Sequence, residues 1–325
     1  MASVRAKMLA AKAKEAEQHK AAAEKCLETG WFKWSPDVQG AVIEYQKAAT
    51  CYRNAKMHDK AKVMYLNTAK CQRKVDMVFS AAKNVANAAL MCMELKQHGQ
   101  AAQLNSKAAL LYQQDSNNQA AADLLLASAK QLHEELPDAA RMQLREAITC
   151  YEADSKEYVG IDAYKLLVNV CIREGDYAEA HKVLRRMIEV YTELAQQHNV
   201  HEAYLQIVIV HLLAGDHAAA QAALDAFSAE SADFVMTTEF EFLTCLIQKL
   251  LSDDEEGLQA FIKDQIRVLR EAYVARMVRK LHVFGAAHHP LNDMLQGVAT
   301  DVAAGETPSG DGFDEDQGYC SDDLL

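Results

Sequence analysis

The chain of 325 residues is poor in residues that interrupt helices and in features that place a protein in a membrane. It has only 4 prolines, and nowhere does an apolar run reach the about 18 residues that a spanning helix needs. Its 8 cysteines form no Cys-x-x-Cys pair, which argues against a disulfide framework and favours buried, reduced thiols. We therefore expect a mostly helical cytoplasmic protein whose membrane contact, if it has one, is peripheral.

Enzyme motifs are missing as well. The chain has no phosphate-binding loop, no Gly-x-Ser-x-Gly elbow, no His-Glu-x-x-His zinc motif and no dinucleotide fingerprint. Neither His198 with His201 nor His288 with His289 has Cys or carboxylate neighbours at ligand spacing. The acidic run at 253–256 is expected to start a solvated helix. We expect no enzymatic activity, no cofactor and no metal site.

Basic charge is scarce at one end of the chain. Residues 286–325 hold nine of the 46 acidic residues and none of the 34 Lys and Arg, and the net charge of the whole chain is −12. A strongly acidic chain without a long basic stripe is a poor ligand for nucleic acid. Six of the 13 glycines lie from Gly285 onward, so we predict a flexible acidic tail over 286–325.

What the chain does have is a repeat. A turn followed by an Ala-rich helix start recurs with a regular period, and the alanines that mark it are Ala61, Ala101, Ala139, Ala178 and Ala218. A second series of breaks lies midway, near Asp76, Ser116, Asp154 and His198. Each repeat is thus two helices. We predict an all-α, tetratricopeptide-like, right-handed array of antiparallel helix pairs over 1–231, forming a twisted, curved sheet.

A C-terminal helical cap is predicted over 232–285. Its last part is expected to be one helix with a positive face that binds a partner by charge. The cations of this basic segment are Arg267, Arg270, Arg276, Arg279 and Lys280. The alternative interpretation is an ordinary solvated helix side.

Both tryptophans fall in one short segment, residues 29–36, which we call the aromatic loop. Gly30 and the Ser35-Pro36 pair bracket the cluster, which indicates a loop. Its Trp31, Phe32 and Trp34 suit the headgroup boundary of a membrane, and a Lys beside them can snorkel. The alternative is that these rings plug the end of a helical core.

The segment LETGWFKWSPD at 27–37 and the segment AVIEYQKAATCYRNA at 41–55 closely resemble the N-terminal region of the soluble NSF attachment proteins, or SNAPs, and point to their gamma branch. The resemblance implies an adaptor in vesicle-mediated transport and membrane fusion. Such an adaptor coats an assembled SNARE complex, a syntaxin-type four-helix bundle, and recruits the hexameric AAA+ ATPase NSF to disassemble it.

The same resemblance implies roles for particular residues. The aromatic loop would touch the membrane, the basic segment would contact the ATPase, and Leu324 would stimulate it. Two positions depart from the alpha members, because Asp123 and Leu166 lie near places where those members carry basic side chains against SNAREs. The alternative function is a generic tetratricopeptide-like scaffold that holds a peptide. The helix pairs of such scaffolds usually have a shorter period than those of this chain, which favours the adaptor.

Overall fold

Helices make up all the regular structure in the part of the chain that the computed structural model describes, namely residues 2–29, 34–252 and 254–283. The α-helices, in chain order, are α1 Ala2–Leu27, α2 Val38–Asn54, α3 His58–Lys74, α4 Val78–Glu94, α5 His98–Gln114, α6 Asn118–Leu132, α7 Pro137–Ala153, α8 Ile161–Glu174, α9 Tyr177–Glu193, α10 Gln197–Leu213, α11 His217–Glu230, α12 Thr238–Leu251, α13 Glu255–Gln265 and α14 Ala272–Val278. Two 3₁₀ turns, Phe234–Met236 and Ile266–Val268, complete the set. The all-α prediction is confirmed.

The predicted repeat is present as a regular series of helix starts. Helices α3, α5, α7, α9 and α11 begin at His58, His98, Pro137, Tyr177 and His217, which are evenly spaced along the chain. Short turns after most of the helices up to α10 contain one residue at positive φ, and the next N–H donates back to the closing turn of the helix. Lys56 has a φ of 58°, for example, and the N–H of Met57 donates to Tyr52 O at 2.9 Å. This left-handed closure sends the chain back along the helix that it has just left.

One predicted break is displaced. The turn that was expected near His198 lies at Ala195, whose φ is 53°, and α10 already begins at Gln197. Sequence reasoning missed it because an alanine rarely adopts positive φ. By contrast, the turns at Gly175 and Gly215 use the residue that adopts this conformation most readily.

The chain divides into two compact units, Met1–Leu167 and a second that begins at Val168. In the first unit, helices α2, α3, α5 and α7 each bury small residues together with at least one tyrosine. Ala41 and Ala48 of α2 are fully buried, with Tyr45 and Tyr52 on the same buried face. The alanines allow neighbouring helices to approach closely and the rings fill the space beside them, as the sequence pattern predicted.

The second unit is built around α10, which is buried on almost every side from Val200 to Leu213. The Tyr204 ring stacks on Phe227 with centroids 4.0 Å apart, and Phe234 meets Tyr204 edge-on at 5.3 Å. Helix α12 packs against this centre, so a helical element follows residue 232 as predicted. The boundary between array and cap at 231/232 and the handedness and curvature of the array stay predictions, and the tail 286–325 lies outside the described residues.

The prediction of a single basic helix after the acidic run is wrong in part. It starts as expected, because the Asp254 carboxylate caps α13 by accepting from Gly257 N at 2.8 Å. Helix α13 ends at Gln265, however, and Leu269 and Glu271 adopt extended backbone before the short α14 begins. Leu269 is itself buried, so the extended link places an apolar side chain in the core.

Gly160 and Gly99 offer a matched stability test in the first unit. A Cβ built on Gly160 would lie 2.5 Å from Cδ2 of the buried Tyr151 ring, whereas one on Gly99 meets nothing within 4 Å. We expect Gly160→Ala to lower the free energy of unfolding by about 1–3 kcal/mol through overpacking. Gly99 lies in a helix, so Gly99→Ala should raise the free energy of unfolding by up to about 1 kcal/mol. Urea unfolding of both variants measures this, and equal midpoints would contradict the close approach at Gly160.

Candidate partner and membrane surfaces

The residues that flank the aromatic loop are held in the first unit. Helix α1 ends at Leu27, and the N–H of Asp37 donates to Cys26 O at 2.9 Å, which ties the two ends of the loop together. The Asp37 carboxylate then caps α2 by accepting from Gly40 N at 2.8 Å. The two ends of the loop therefore lie together at one end of the α1–α2 pair.

Of the three predicted membrane-contact residues, the structure describes Trp34, whose surface is 92% exposed. An indole so exposed buries almost none of its apolar area on this chain, so the core-plug interpretation does not apply to Trp34. Trp31 and Phe32 lie outside the described residues. Among the described helices, none has the length and apolar character required to cross a bilayer.

The basic segment is anchored at several points in the second unit. The Tyr273 hydroxyl donates to Gln206 Oε1 at 2.6 Å in the buried interior. The Val283 N–H donates to the Glu255 carboxylate at 2.9 Å, and Gln259 Nε2 donates to Leu281 O at 2.9 Å. Although burial acts in the opposite direction, hydrogen bonds from Val283, Gln259 and His282 lower the pKa of Glu255. The acidic start of α13 thus anchors the end of the segment.

The cations of the basic segment are all exposed, but they do not share one helical face. Arg267 lies in the 3₁₀ turn, and Arg270 lies in the extended link, where its guanidinium contacts the His198 ring. Arg276, Arg279 and Lys280 lie together at the C-terminal end of α14. The structure therefore splits the predicted positive face in two. Leu324, the other predicted contact, lies outside the described residues.

A groove on the first unit offers a surface that sequence reasoning did not specify. Residues of α2 and α4 line an open cleft of about 430 Å³, which we call the α2–α4 groove. Its lining includes Ile43, Lys47, Lys83, Asn84 and Asn87. The two lysines are exposed, and the Ile43 side chain is also exposed beside them. Cationic groups beside an exposed apolar residue suit a partner with an acidic, partly apolar surface.

The same unit has a second cleft, of about 420 Å³, between α5 and α7. Its lining includes Lys107, Met142 and Glu146, so a cation and an acid face the same space. Gln143 crosses beneath it and donates to Ala102 O at 3.0 Å. The charge of this α5–α7 groove is mixed, which distinguishes it from the α2–α4 groove.

Asp123 and Leu166, the two departures noted in the sequence, lie on α6 and α8. The Tyr151 hydroxyl donates to the Asp123 carboxylate at 2.6 Å, and burial together with this hydrogen bond raises the pKa of Tyr151. Asp123 therefore has a structural partner on this chain, although its residue remains exposed. Leu166 is half-buried. Neither residue supplies a positive charge to a partner.

The sequence contains two histidine pairs that were considered as metal ligands, His198 with His201 and His288 with His289. His201 Nε2 lies 3.2 Å from Ser231 Oγ and 3.0 Å from Gln197 Nε2, and burial lowers the pKa of His201. His198 contacts Arg270 instead, so the two rings do not converge. His288 and His289 lie outside the described residues.

A different cluster brings three ligand types together. Within the described residues, Glu15, His19 and Cys51 place one carboxylate oxygen, one ring nitrogen and the thiol sulfur within 4.8 Å of one another. The first two are one turn apart on α1, and the third comes from α2. The i, i+4 spacing of Glu15 and His19 is visible in the sequence, but the pairing register that delivers Cys51 is not.

Comparison with known proteins yields one family over most of the chain. The family described as "Soluble NSF attachment protein, SNAP" matches residues 14–277. A Gamma-soluble NSF attachment protein of Dictyostelium discoideum is 27% identical over 260 residues, which is 80% of each chain. A Gamma-soluble NSF attachment protein of Arabidopsis thaliana is 28% identical over 194 residues, 60% of this chain and 67% of that protein.

Proposed function

The chain belongs to the soluble NSF attachment protein family, and on this basis we propose that it is an adaptor that binds assembled SNARE complexes and recruits NSF to disassemble them in vesicle trafficking. The family match over residues 14–277 carries the proposal, and the two relatives are named as gamma members. Proteins of this family are adaptors, so the prediction that the chain is not an enzyme is confirmed.

We assign the SNARE contact to the α2–α4 groove. Lys83 and Lys47, the latter paired with Glu44, line this groove, while Asp123 and Leu166 lie on α6 and α8 near places where the alpha members carry basic side chains. The resemblance implies that SNAREs present an acidic bundle, and the exposed lysines of the α2–α4 groove carry the charge that favours such a contact. This distribution makes partner choice depend on α2 and α4.

The first test is recruitment in solution. Immobilised SNARE bundles should retain the purified chain, and NSF with a non-hydrolysable ATP analogue should join the complex only when the chain is present. Because the chain has no phosphate-binding loop, it should show no ATPase activity by itself. Failure of the bundles to retain the chain at low salt would refute the adaptor proposal.

The second test addresses the groove. Changing Lys47 and Lys83 to Glu should weaken binding to immobilised SNARE bundles by about tenfold or more, because like charges then face the acidic bundle. The control with the same change of charge is Lys74→Glu combined with Lys107→Glu, two exposed lysines outside the α2–α4 groove. Equal affinities of the Lys47 and Lys83 double variant and the parent would assign the contact to another surface while leaving the adaptor proposal standing.

The aromatic loop and the basic segment complete the proposal. We assign the membrane contact to Trp31, Phe32 and Trp34, supported by the exposure of Trp34 and the anchored ends of the loop. We assign the first encounter with NSF to the cations at the end of α14 and the stimulation of its ATPase to Leu324. The scaffold alternative draws no support from the helix starts, whose period is longer than that of tetratricopeptide scaffolds.

A further inference from the structure

We propose that Glu15, His19 and Cys51 form a binding site for a divalent transition metal of the zinc class, which clamps α1 to α2. The three residues supply an oxygen, a nitrogen and a sulfur ligand from two neighbouring helices. This set matches the mixed carboxylate, imidazole and thiolate chemistry that zinc accepts. A hard cation such as Mg²⁺ or Ca²⁺ would not select a thiol.

The distances between the three ligand atoms are compatible with binding of one metal ion after small side-chain movements. Zinc–ligand bonds of about 2.0–2.3 Å in a tetrahedron place ligand atoms about 3.3–3.8 Å apart. Here the ligand atoms lie within 4.8 Å of one another, so small side-chain rotations suffice. Glu15 and Cys51 already interact, because a hydrogen bond between them affects the pKa of both groups. The metal would take the place of the thiol proton in that contact.

Glu44 gives the site its outer layer. The Glu44 Oε2 atom lies 2.6 Å from His19 Nδ1, which holds the ring and leaves Nε2 to bind the metal. A carboxylate that orients a metal-bound histidine in this way is a common feature of zinc sites. Lys47 holds the other oxygen of Glu44 at 2.8 Å, so the outer carboxylate is itself positioned.

Lys12 opposes the metal and supplies a distinctive test. Its ammonium lies 2.7 Å from Glu15 Oε2, so it competes with a metal for this carboxylate. Removing the lysine should therefore tighten metal binding. A metal bound adventitiously at a thiol elsewhere would be indifferent to this change, because Lys12 interacts with Glu15 and Cys51.

The experiment is a titration of the full-length chain with Co(II), followed by displacement with Zn(II). Burial raises the pKa of the Cys51 thiol, so the titration is run above neutral pH. We expect a Co(II)–thiolate band in the near ultraviolet with tetrahedral bands in the visible. The bands should vanish in Cys51→Ser and persist in Cys26→Ser, a half-buried thiol on α1. Bands that survive in Cys51→Ser would overturn the proposal.

Two further variants keep the proposal testable if Cys51→Ser unfolds. Glu44→Gln should weaken Co(II) binding by about 10–100-fold, as expected for loss of an outer partner. Lys12→Gln should tighten it at least several-fold. Zn(II) should raise the thermal midpoint of the parent, because a metal that binds the folded state stabilises it by mass action. Equal affinity of the parent and both variants, or no thiolate band at all, would refute the site.

Discussion

Changing Trp31, Phe32 and Trp34 together to Ser should weaken binding of the purified chain to anionic liposomes by about 100-fold or more. Burying one large aromatic side chain contributes about 1.5–3 kcal/mol, so three partly inserted rings contribute about 3–5 kcal/mol together. Trp34 already exposes 92% of its surface, so its removal costs the fold almost no buried area. Liposome co-sedimentation measures the change. Disassembly of membrane-anchored SNAREs should slow, whereas that of soluble ones should be spared.

The matched control removes three exposed apolar residues elsewhere, Val4, Met8 and Met236, again by change to Ser. This control should leave liposome binding within a few-fold of the parent. Circular dichroism of the loop variant separates the two interpretations of the cluster. If the triple change unfolds the first helix pair, Trp31 and Phe32 plug the core and the membrane assignment fails.

The helices could be predicted because their start signals are local. Asp216 precedes α11 and accepts from Ala219 N at 2.8 Å, and Asp176 caps α9 in the same way, so these starts coincide with the Gly-Asp signal in the sequence. The turns that follow the helices are harder to predict from the sequence. Lys56, Lys96 and Ala195 adopt positive φ without being glycine, so the residue type does not indicate the turn.

The structure of the candidate surfaces could not be predicted from local sequence signals. No Gly or Pro marks the extended link between α13 and α14, and the basic residues there have helical spacing. Tertiary contacts determine the break between α13 and α14, because Leu269 is buried and the Tyr273 hydroxyl bonds to Gln206 of α10. The Glu15, His19 and Cys51 cluster likewise depends on the register between two helices. Spacing along one helix cannot supply that third ligand.

Reversing Arg276, Arg279 and Lys280 to Glu should reduce NSF recruitment to preformed complexes of this chain with SNAREs by about tenfold to 100-fold at low salt. The three cations lie together at the end of α14, and opposite charge across an interface accelerates encounter and sets orientation. Salt screens exposed charges beyond about 8–10 Å, so the defect should shrink as ionic strength rises. Pull-down with the non-hydrolysable ATP analogue at two salt concentrations measures it.

Arg5, Lys7 and Lys14 supply the matched control, because they are exposed cations of α1 and their reversal changes the net charge equally. This control should recruit NSF as the parent does in an assay without membrane. A loss of the same size in both variants would mean that total charge, and not the end of α14, governs the encounter. Arg270 is left unchanged because it contacts His198 and its reversal would disturb the fold.

Leu324→Ala should produce a different defect from the charge reversal. An apolar residue beside Asp322 and Asp323 adds no long-range attraction, so recruitment should remain close to that of the parent. If the side chain docks in an apolar pocket of the ATPase, its truncation removes contact made only after recruitment, and stimulated ATP turnover should fall several-fold. If both are measured on one preparation, the charge-reversal variant and Leu324→Ala distinguish recruitment of NSF from stimulation of its ATPase activity. Unchanged turnover with Leu324→Ala would leave the end of α14 as the contact that couples this chain to ATP hydrolysis.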